Sequence, residues 1–101
     1  MSEIERRGEQ VIVKPGQDLV ASMTPEFRKE LRVLLDEGCR DLVIDLVDTE
    51  MIDSVGLGAL IAAYNSLSKK GGKLSVINAS ANIHGLFKTT RLDKHFNVTN
   101  A

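Results

Sequence analysis

The feature that most constrains the fold is a strand, a helix and a second strand that follow one another between residues 42 and 78. Leu42 to Val47 is a short apolar run interrupted only by Asp45, which is typical of a strand buried on both faces and therefore central in its sheet. Lys73 to Asn78 has the composition of another strand. Two strands joined by a helix form a βαβ unit, so we expect them to be parallel with a right-handed crossover.

The helix between these strands is the best marked in the chain. It follows a turn at residues 48–50, and Lys69 to Gly71 carries the two lysines and the glycine that favour a helix carboxyl terminus. Such a helix begins near the carboxyl end of the preceding strand, where open α/β sheets usually build their sites. That start lies in the stretch MIDSVGLGAL, Met51 to Leu60. The apolar residues at helical spacing are Leu57, Leu60, Ile61, Tyr64 and Leu67.

Strands on either side of this unit extend the sheet. Ile4 to Arg7 and Gln10 to Lys14 are predicted to pair as a hairpin around Gly8-Glu9. Near the other end, Phe96 to Val98 is expected to close the structure. Strand and helix signals alternate without a repeat or a linker, so residues 1–101 are predicted to form one α/β domain.

Two further helices are predicted. In the first, Thr24 is expected to cap, Pro25 to occupy the first helical position and Gly38 to end the helix. Its inward face carries Phe27, Leu31, Leu34 and Leu35. The second helix is shorter and is expected to be capped by Ser80. Its inward residues are Ile83, Leu86 and Phe87.

Composition limits the partners and the compartment. A chain of 101 residues with 43% hydrophobic content suits one modest core. A formal net charge of −1 indicates neither a nucleic-acid footprint nor a basic face that seeks membranes, so a protein or a small molecule is the expected partner. Cys39, the single cysteine, excludes an internal disulfide and suits a buried thiol in a reducing compartment. The chain shows neither a secretory h-region nor an apolar run that could span a bilayer, so we expect it in the cytoplasm.

Ser54 is the candidate functional residue, and three roles compete for it: a helix cap, a catalytic nucleophile and a hydroxyl that another protein modifies. Catalysis fits poorly, because the nucleophile elbow G-x-S-x-G needs a glycine where this chain has Ile52. A triad would also need a histidine, and His84 and His95 fall in the last quarter of the chain, where surface or core-edge positions are ordinary. We therefore expect no enzymatic activity.

Cofactor and metal sites are not expected either. Gly56-Leu57-Gly58 continues to Ile61, where a dinucleotide-binding fingerprint has its third glycine, and there is no P-loop motif. Gly58 is instead expected to let the helix pack closely on the sheet. The acidic residues near the motif match no calcium loop and have no histidine partner, so they indicate a solvated turn. They are Asp45, Asp48, Glu50 and Asp53.

The residues alone leave the cap and the modification open. Asp53 or Ser54 can accept hydrogen bonds from the free amides of the first helical turn. A cap does not explain why small glycines surround an accessible hydroxyl, whereas modification by a second protein does. A phosphoryl group on Ser54 would add roughly −1.5 to −2 charges. First-turn amides and the helix dipole are expected to hold it, while Asp53 and an apolar partner surface would repel it.

The motif Ile52-Asp53-Ser54-Val55-Gly56-Leu57-Gly58 resembles the signature of the STAS family, the domain shared by sulphate transporters and bacterial anti-sigma factor antagonists. The resemblance covers nearly the whole chain, through LVIDLVDTEMIDS, the Gly71-Gly72 turn, KLSVIN and RLDKHFNV. It implies a single STAS-like domain in which a mixed β-sheet of four to five strands is packed with three to four helices.

The resemblance also implies a mechanism. In the antagonist branch, the serine directly after the motif aspartate is phosphorylated by an anti-sigma factor that is itself a serine kinase, and a serine/threonine protein phosphatase frees it again. Carried over, this residue is Ser54, next to Asp53. The dephosphorylated form would bind the anti-sigma factor and release the sigma factor. Val55 stands where the family often has a second Ser or Thr, so Ser54 is the sole hydroxyl in the motif.

Partner contacts are expected around this motif. Asp53, Val55, Gly56 and Leu57 are the candidates, although Leu57 also begins the apolar stripe of the helix. Asp18 is a further candidate, because the family tends to carry G-x-x-D before its first helix. This chain places the acid one residue early, so a local role in the turn is an equal alternative for Asp18.

The principal alternative function is a ligand- or nucleotide-sensing or scaffold module in a signalling or lipid-transport assembly. In that case Ser54 acts only as a cap. A ligand sensor should gain thermal stability with its ligand, whereas a partner switch should lose one specific protein partner on Ser54→Asp.

Overall fold

The computed structural model describes residues 2–99. Its strands are β1 (Glu3–Arg7), β2 (Gln10–Lys14), β3 (Asp41–Asp45), β4 (Lys73–Ile77) and β5 (Asn97–Thr99), and its helices are α1 (Thr24–Asp36), α2 (Ser54–Lys69), α3 (Ala81–Thr89) and a short 3₁₀ helix, Leu92–Lys94. The strands form one mixed sheet in sequence order, with β1 antiparallel to β2 and all other neighbours parallel. The predicted α/β class, the hairpin and the parallel pairing of β3 and β4 are confirmed.

β3 is the central strand of the sheet, and its side chains are buried on both faces. Leu42, Val43 and Ile44 are each at most 6% exposed, as the apolar run predicts. The strand ends at Asp45 and not at the predicted Val47, because the Asp45 carboxylate accepts a hydrogen bond from the Val47 amide and turns the chain. Val47 is consequently exposed.

The core lies between the helices and one face of the sheet. Alternate residues of the inner strands belong to it, as strand geometry requires, namely Val11, Val13, Leu42, Ile44, Leu74 and Val76. The helices contribute predicted apolar residues, among them the fully buried Phe27, Leu34, Leu60, Leu67, Ile83 and Phe87. Cys39 joins this cluster as predicted, and desolvation by burial raises the pKa of its thiol.

Two of the three predicted helix boundaries at α1 and α3 are correct. Ser80 caps α3 by accepting a hydrogen bond from the Ile83 amide at 3.2 Å, and Gly38 follows α1 with a φ of 94°. Thr24 does not cap α1 but is its first residue, so the helix begins one residue earlier than predicted. Because Thr24 is fully buried, its hydroxyl needs an internal partner, and it donates to the Val20 carbonyl oxygen at 2.8 Å.

Candidate functional site

The amino terminus of α2 lies where two loops meet at the carboxyl edge of the parallel strands. One loop, residues 15–23, follows β2, and the other, residues 46–53, follows β3. Leu19 pairs with the second loop: its amide donates to the Met51 carbonyl oxygen at 3.0 Å, and its carbonyl oxygen accepts from the Asp53 amide at 3.1 Å. This pairing extends the parallel arrangement of β2 and β3 beyond the sheet and holds the start of α2 in place.

Asp53 caps α2 and ties it to the first loop. Its Oδ1 accepts hydrogen bonds from the amides of Val55 and Gly56, both at 2.9 Å, and its Oδ2 accepts from the Ala21 amide at 2.8 Å. These bonds, that from Gly56 foremost, favour the ionised form and lower the pKa of Asp53 against the opposing effect of desolvation. Of the two cap candidates, Asp53 is therefore the one that satisfies the first-turn amides.

Ser54 is the first residue of α2, and it is exposed to solvent. Within residues 2–99 its hydroxyl makes no hydrogen bond to the protein. The amides of Val55 and Gly56 are bound to Asp53, so a phosphate on Ser54 would compete with that carboxylate for them, and the expectation that first-turn amides and the helix dipole hold it stays a prediction. A further donor or cation near this position would stabilise a phosphoryl group there.

Asp18 fastens the two loops to each other. Its Oδ1 accepts hydrogen bonds from the amides of Glu50 at 3.0 Å and Met51 at 3.2 Å. The neighbouring Gln17 carbonyl oxygen accepts from the Thr49 hydroxyl at 2.8 Å, and Thr49 is only 2% exposed. Asp18 thus has the local role that its sequence position left open, and it supports the loop that leads into α2.

Gly56 is the glycine that permits a close approach. A Cβ atom on Gly56 would lie 2.1 Å from the Leu19 carbonyl oxygen, which is held by backbone hydrogen bonding. A Cβ atom on Gly58 would meet only a guanidinium nitrogen of Arg28, at 3.3 Å. The prediction that Gly58 lets the helix pack closely on the sheet is therefore wrong. The close contact is made by Gly56, against the loop that follows β2.

The surface around Ser54 is rich in exposed apolar residues. Met51 and Val55 flank it in sequence and are 61% and 40% exposed. Val47 and Met23, in the two loops at the same edge, are exposed as well. Four of the six exposed large hydrophobic residues in the described part of the chain thus belong to this edge, and we call Met23, Val47, Met51 and Val55 the apolar rim.

Two of the remaining motif residues face inward. Gly56 is buried, and Leu57 is half-buried against the core cluster. Val55 is the motif residue that presents a large apolar side chain to solvent, next to the exposed hydroxyl of Ser54. Sequence patterns did not point to the other members of the apolar rim. For Met51 a signal was available, since it is a large apolar residue next to a turn and outside every apolar stripe.

One of the two histidines, His95, lies away from Ser54. His95 packs against Tyr64, with ring centroids 5.5 Å apart, and Tyr64 lies about 15 Å along the α2 axis from Ser54. Residues 2–99 contain no group of three or more His, Cys, Asp or Glu side chains that could hold a metal ion. None of the helices in that same part of the chain is long and apolar enough to cross a membrane.

A family model for the STAS domain matches residues 1–101. The chain belongs to the STAS family. The resemblance carried by the motif around Ser54 is thereby confirmed. Within the family, the chain is similar to the anti-sigma-B factor antagonist of Staphylococcus aureus, with 30% identity over 80 residues that cover 79% of this chain and 74% of the relative.

Solved structures agree with this STAS fold. A crystal structure of a Thermotoga maritima protein matches with a TM-score of 0.95 at 23% identity and covers 99% of this chain and 86% of that one. The Bacillus cell fate determinant SpoIIAA in its phosphorylated form matches with a TM-score of 0.78 at 16% identity, covering 99% and 92%. At these identities the likeness shows the fold alone.

Proposed function

We propose that this STAS domain is an anti-sigma factor antagonist that works as a phosphorylation-controlled partner switch. Its dephosphorylated form binds an anti-sigma factor that is also a serine kinase, and the sigma factor held by that protein is released. Phosphorylation of Ser54 by this kinase blocks the binding, and a serine/threonine protein phosphatase restores it. The domain acts in the cytoplasm and catalyses no reaction of its own.

The observation that carries this proposal is the unused, exposed hydroxyl of Ser54 beside the apolar rim. Asp53 supplies the cap, so α2 does not need the Ser54 side chain, which is available to a kinase. The similarity to the antagonist of Staphylococcus aureus supports the class of partner. In the alternative of a ligand sensor or scaffold, Ser54 acts as the helix cap. Asp53 makes the cap hydrogen bonds instead, so Ser54 does not have that role.

The surface around Ser54 explains both how a partner would bind and how phosphorylation would block that binding. A partner that covers Met51 and Val55 removes apolar area from water, which favours association by roughly 25 cal/mol per Å². A phosphoryl group would place roughly −1.5 to −2 charges at the same spot, next to the Asp53 carboxylate. Burying that charge against an apolar partner is costly, and each penalty of about 1.4 kcal/mol weakens binding tenfold. The fold itself stays intact, because Asp18 and Asp53 hold the loops.

The first test is phosphate transfer from labelled ATP to the purified protein in an extract of its own source. Wild type should be labelled and Ser54→Ala should not. Ser68→Ala is the matched control, since it removes another exposed serine from the same helix, and it should be labelled like wild type. Labelling of Ser54→Ala would contradict the site, and absence of label in every protein beside an active control substrate would contradict the switch.

A second test addresses the docking surface. Val55→Asp should weaken binding of the kinase partner at least tenfold, because it places a charge in the apolar rim, and Ser54→Asp should do the same. Val33→Asp is the control, because Val33 is an exposed helical valine outside the rim, with 55% of it exposed against 40% of Val55. Affinities measured by titration calorimetry would contradict the assigned surface if Val33→Asp and Val55→Asp lost binding equally.

A further inference from the structure

Two of the first-turn amides that could hold a phosphoryl group on Ser54 are already engaged. The amides of Val55 and Gly56 are bound to the Asp53 carboxylate at 2.9 Å each. That carboxylate also carries a negative charge next to the modified residue and repels it. A cation from another element that approaches the first turns of α2 would therefore stabilise a phosphate on Ser54.

Arg28 makes such an approach from α1. Its Nη2 lies 3.3 Å from the point where a Cβ atom on Gly58 would stand. Gly58 and Ser54 are four residues apart on α2, so they lie on one face of the helix with their Cβ positions about 5–6 Å apart. Because Gly58 has no side chain, the helix surface next to Ser54 is open to the guanidinium group.

The guanidinium group of Arg28 is also available for a new partner. Among the described residues, no hydrogen bond or ion pair involves its guanidinium group. Its side chain is exposed, so its tip can shift toward a new partner without disturbing the core. A guanidinium group binds a phosphate through two parallel N–H···O hydrogen bonds, which are among the stronger ones in proteins.

We propose that Arg28 binds the phosphoryl group of phosphorylated Ser54 and holds it against the face of α2 that Gly58 leaves open. This inference rests on the proposed phosphorylation of Ser54 and adds the residue that receives the phosphate. Arg28 offsets part of the repulsion from Asp53 and gives the phosphorylated side chain a defined position. The phosphorylated state is then a preorganised negative site beside the apolar rim, reached without refolding.

The test uses protein in which phosphoserine is incorporated at position 54 during translation, so that no kinase is needed. Phosphorus NMR titration then gives the pKa of the second phosphate ionisation. A neighbouring cation favours the dianion, so this pKa should be lower with Arg28 present than in Arg28→Gln, by about 0.5 or more. Arg28→Lys keeps the charge without the two-pronged donor and should give an intermediate pKa.

Arg32→Gln is the matched control. Arg32 lies one turn further along α1, lines the groove between α1 and α2 together with Arg28, and likewise forms no ion pair among the described residues. It should leave the phosphate pKa at the wild-type value. Equal pKa values in wild type and Arg28→Gln would overturn the proposal. An equal rise in Arg28→Gln and Arg32→Gln would also overturn it, because net charge alone would then explain the effect.

The result is separable from that of the proposed function. Both arginines are exposed, so both variants should fold, and amide NMR spectra of each would establish this. The phosphate is installed directly, so an unchanged pKa would count against Arg28 and leave the kinase labelling of Ser54 unaffected. Conversely, an extract that fails to label Ser54 would contradict the switch and leave the measured phosphate pKa interpretable.

Discussion

At both edges of the parallel sheet, a glycine allows a backbone carbonyl oxygen of another segment to approach closely. At the carboxyl edge, Gly56 lets the Leu19 carbonyl oxygen come within 2.1 Å of where a Cβ atom would stand. At the amino edge, Gly72 does the same for the Arg40 carbonyl oxygen, at 2.4 Å. Both carbonyl oxygens also accept a backbone hydrogen bond across the contact, so each edge is locked by a loop lying against a glycine.

The side chains around these two contacts differ. At the amino edge, basic groups complete the surface: an Arg40 guanidinium nitrogen donates to the Lys70 carbonyl oxygen at 2.6 Å, and Lys70 Nζ donates to the Leu35 carbonyl oxygen at 3.1 Å. At the carboxyl edge, carboxylates bind the loop amides and leave the Ser54 hydroxyl and the apolar rim unused. The close backbone contact therefore stabilises each edge of the sheet. At the carboxyl edge, the Ser54 side chain and the apolar rim lie beside that contact and form a candidate site.

The largest expected effect is that of Gly56→Ala. The added Cβ atom would collide with a backbone oxygen, so we expect a loss of about 3 kcal/mol or more in the free energy of unfolding. Gly58→Ala is the matched control in the same helix, since only the flexible tip of Arg28 has to move, and it should gain up to about 1 kcal/mol from helix propensity. Urea denaturation of both variants checks this, and similar midpoints would refute the assignment of the close contact.

Gly72→Ala sharpens the comparison of the edges. It should lower the free energy of unfolding by about 1–3 kcal/mol, because its Cβ atom would overlap the Arg40 carbonyl oxygen. The variant that remains folded should still be labelled at Ser54 and bind the partner like wild type, because the amino edge takes no part in the switch. Denaturation combined with the labelling assay measures both, and a loss of labelling in folded Gly72→Ala would contradict the separation of the two edges.

Asp53→Asn should give a smaller, pH-dependent effect. The pKa of Asp53 is lowered in the folded protein, so its carboxylate adds stability above its unfolded pKa of about 4, and this is lost as the pH falls through the folded pKa. The asparagine oxygen can still accept from the Val55 and Gly56 amides, but the NH2 group that replaces the second oxygen cannot accept from the Ala21 amide. The stability difference between wild type and Asp53→Asn should therefore be largest above about pH 5 and shrink below about pH 4. Thermal unfolding across this range checks it, and a constant difference would contradict the ionic role.

Much of the fold was predictable because it follows from local periodicity. The apolar run of β3 identified the central strand, and the lysines and glycine at residues 69–71 marked the end of α2 at Lys69. The two errors in element boundaries have one physical cause. At Thr24 and at Val47, a hydrogen bond between a side chain and a nearby backbone group changed where the element starts or ends, and apolar spacing does not register such a competition.

The sequence by itself determined the α/β class, the family and the position of Ser54 at the start of α2, because these depend on patterns within contiguous segments. Only the tertiary structure decided that Asp53 is the cap, that Gly56 makes the close contact and that Arg28 lies beside Gly58. The last two depend on which atoms of a distant segment lie against the first turns of α2, whereas the cap is a local choice between two adjacent side chains. The spacing of residues within one segment carries no information about such contacts, since packing of the whole core brings the segments together.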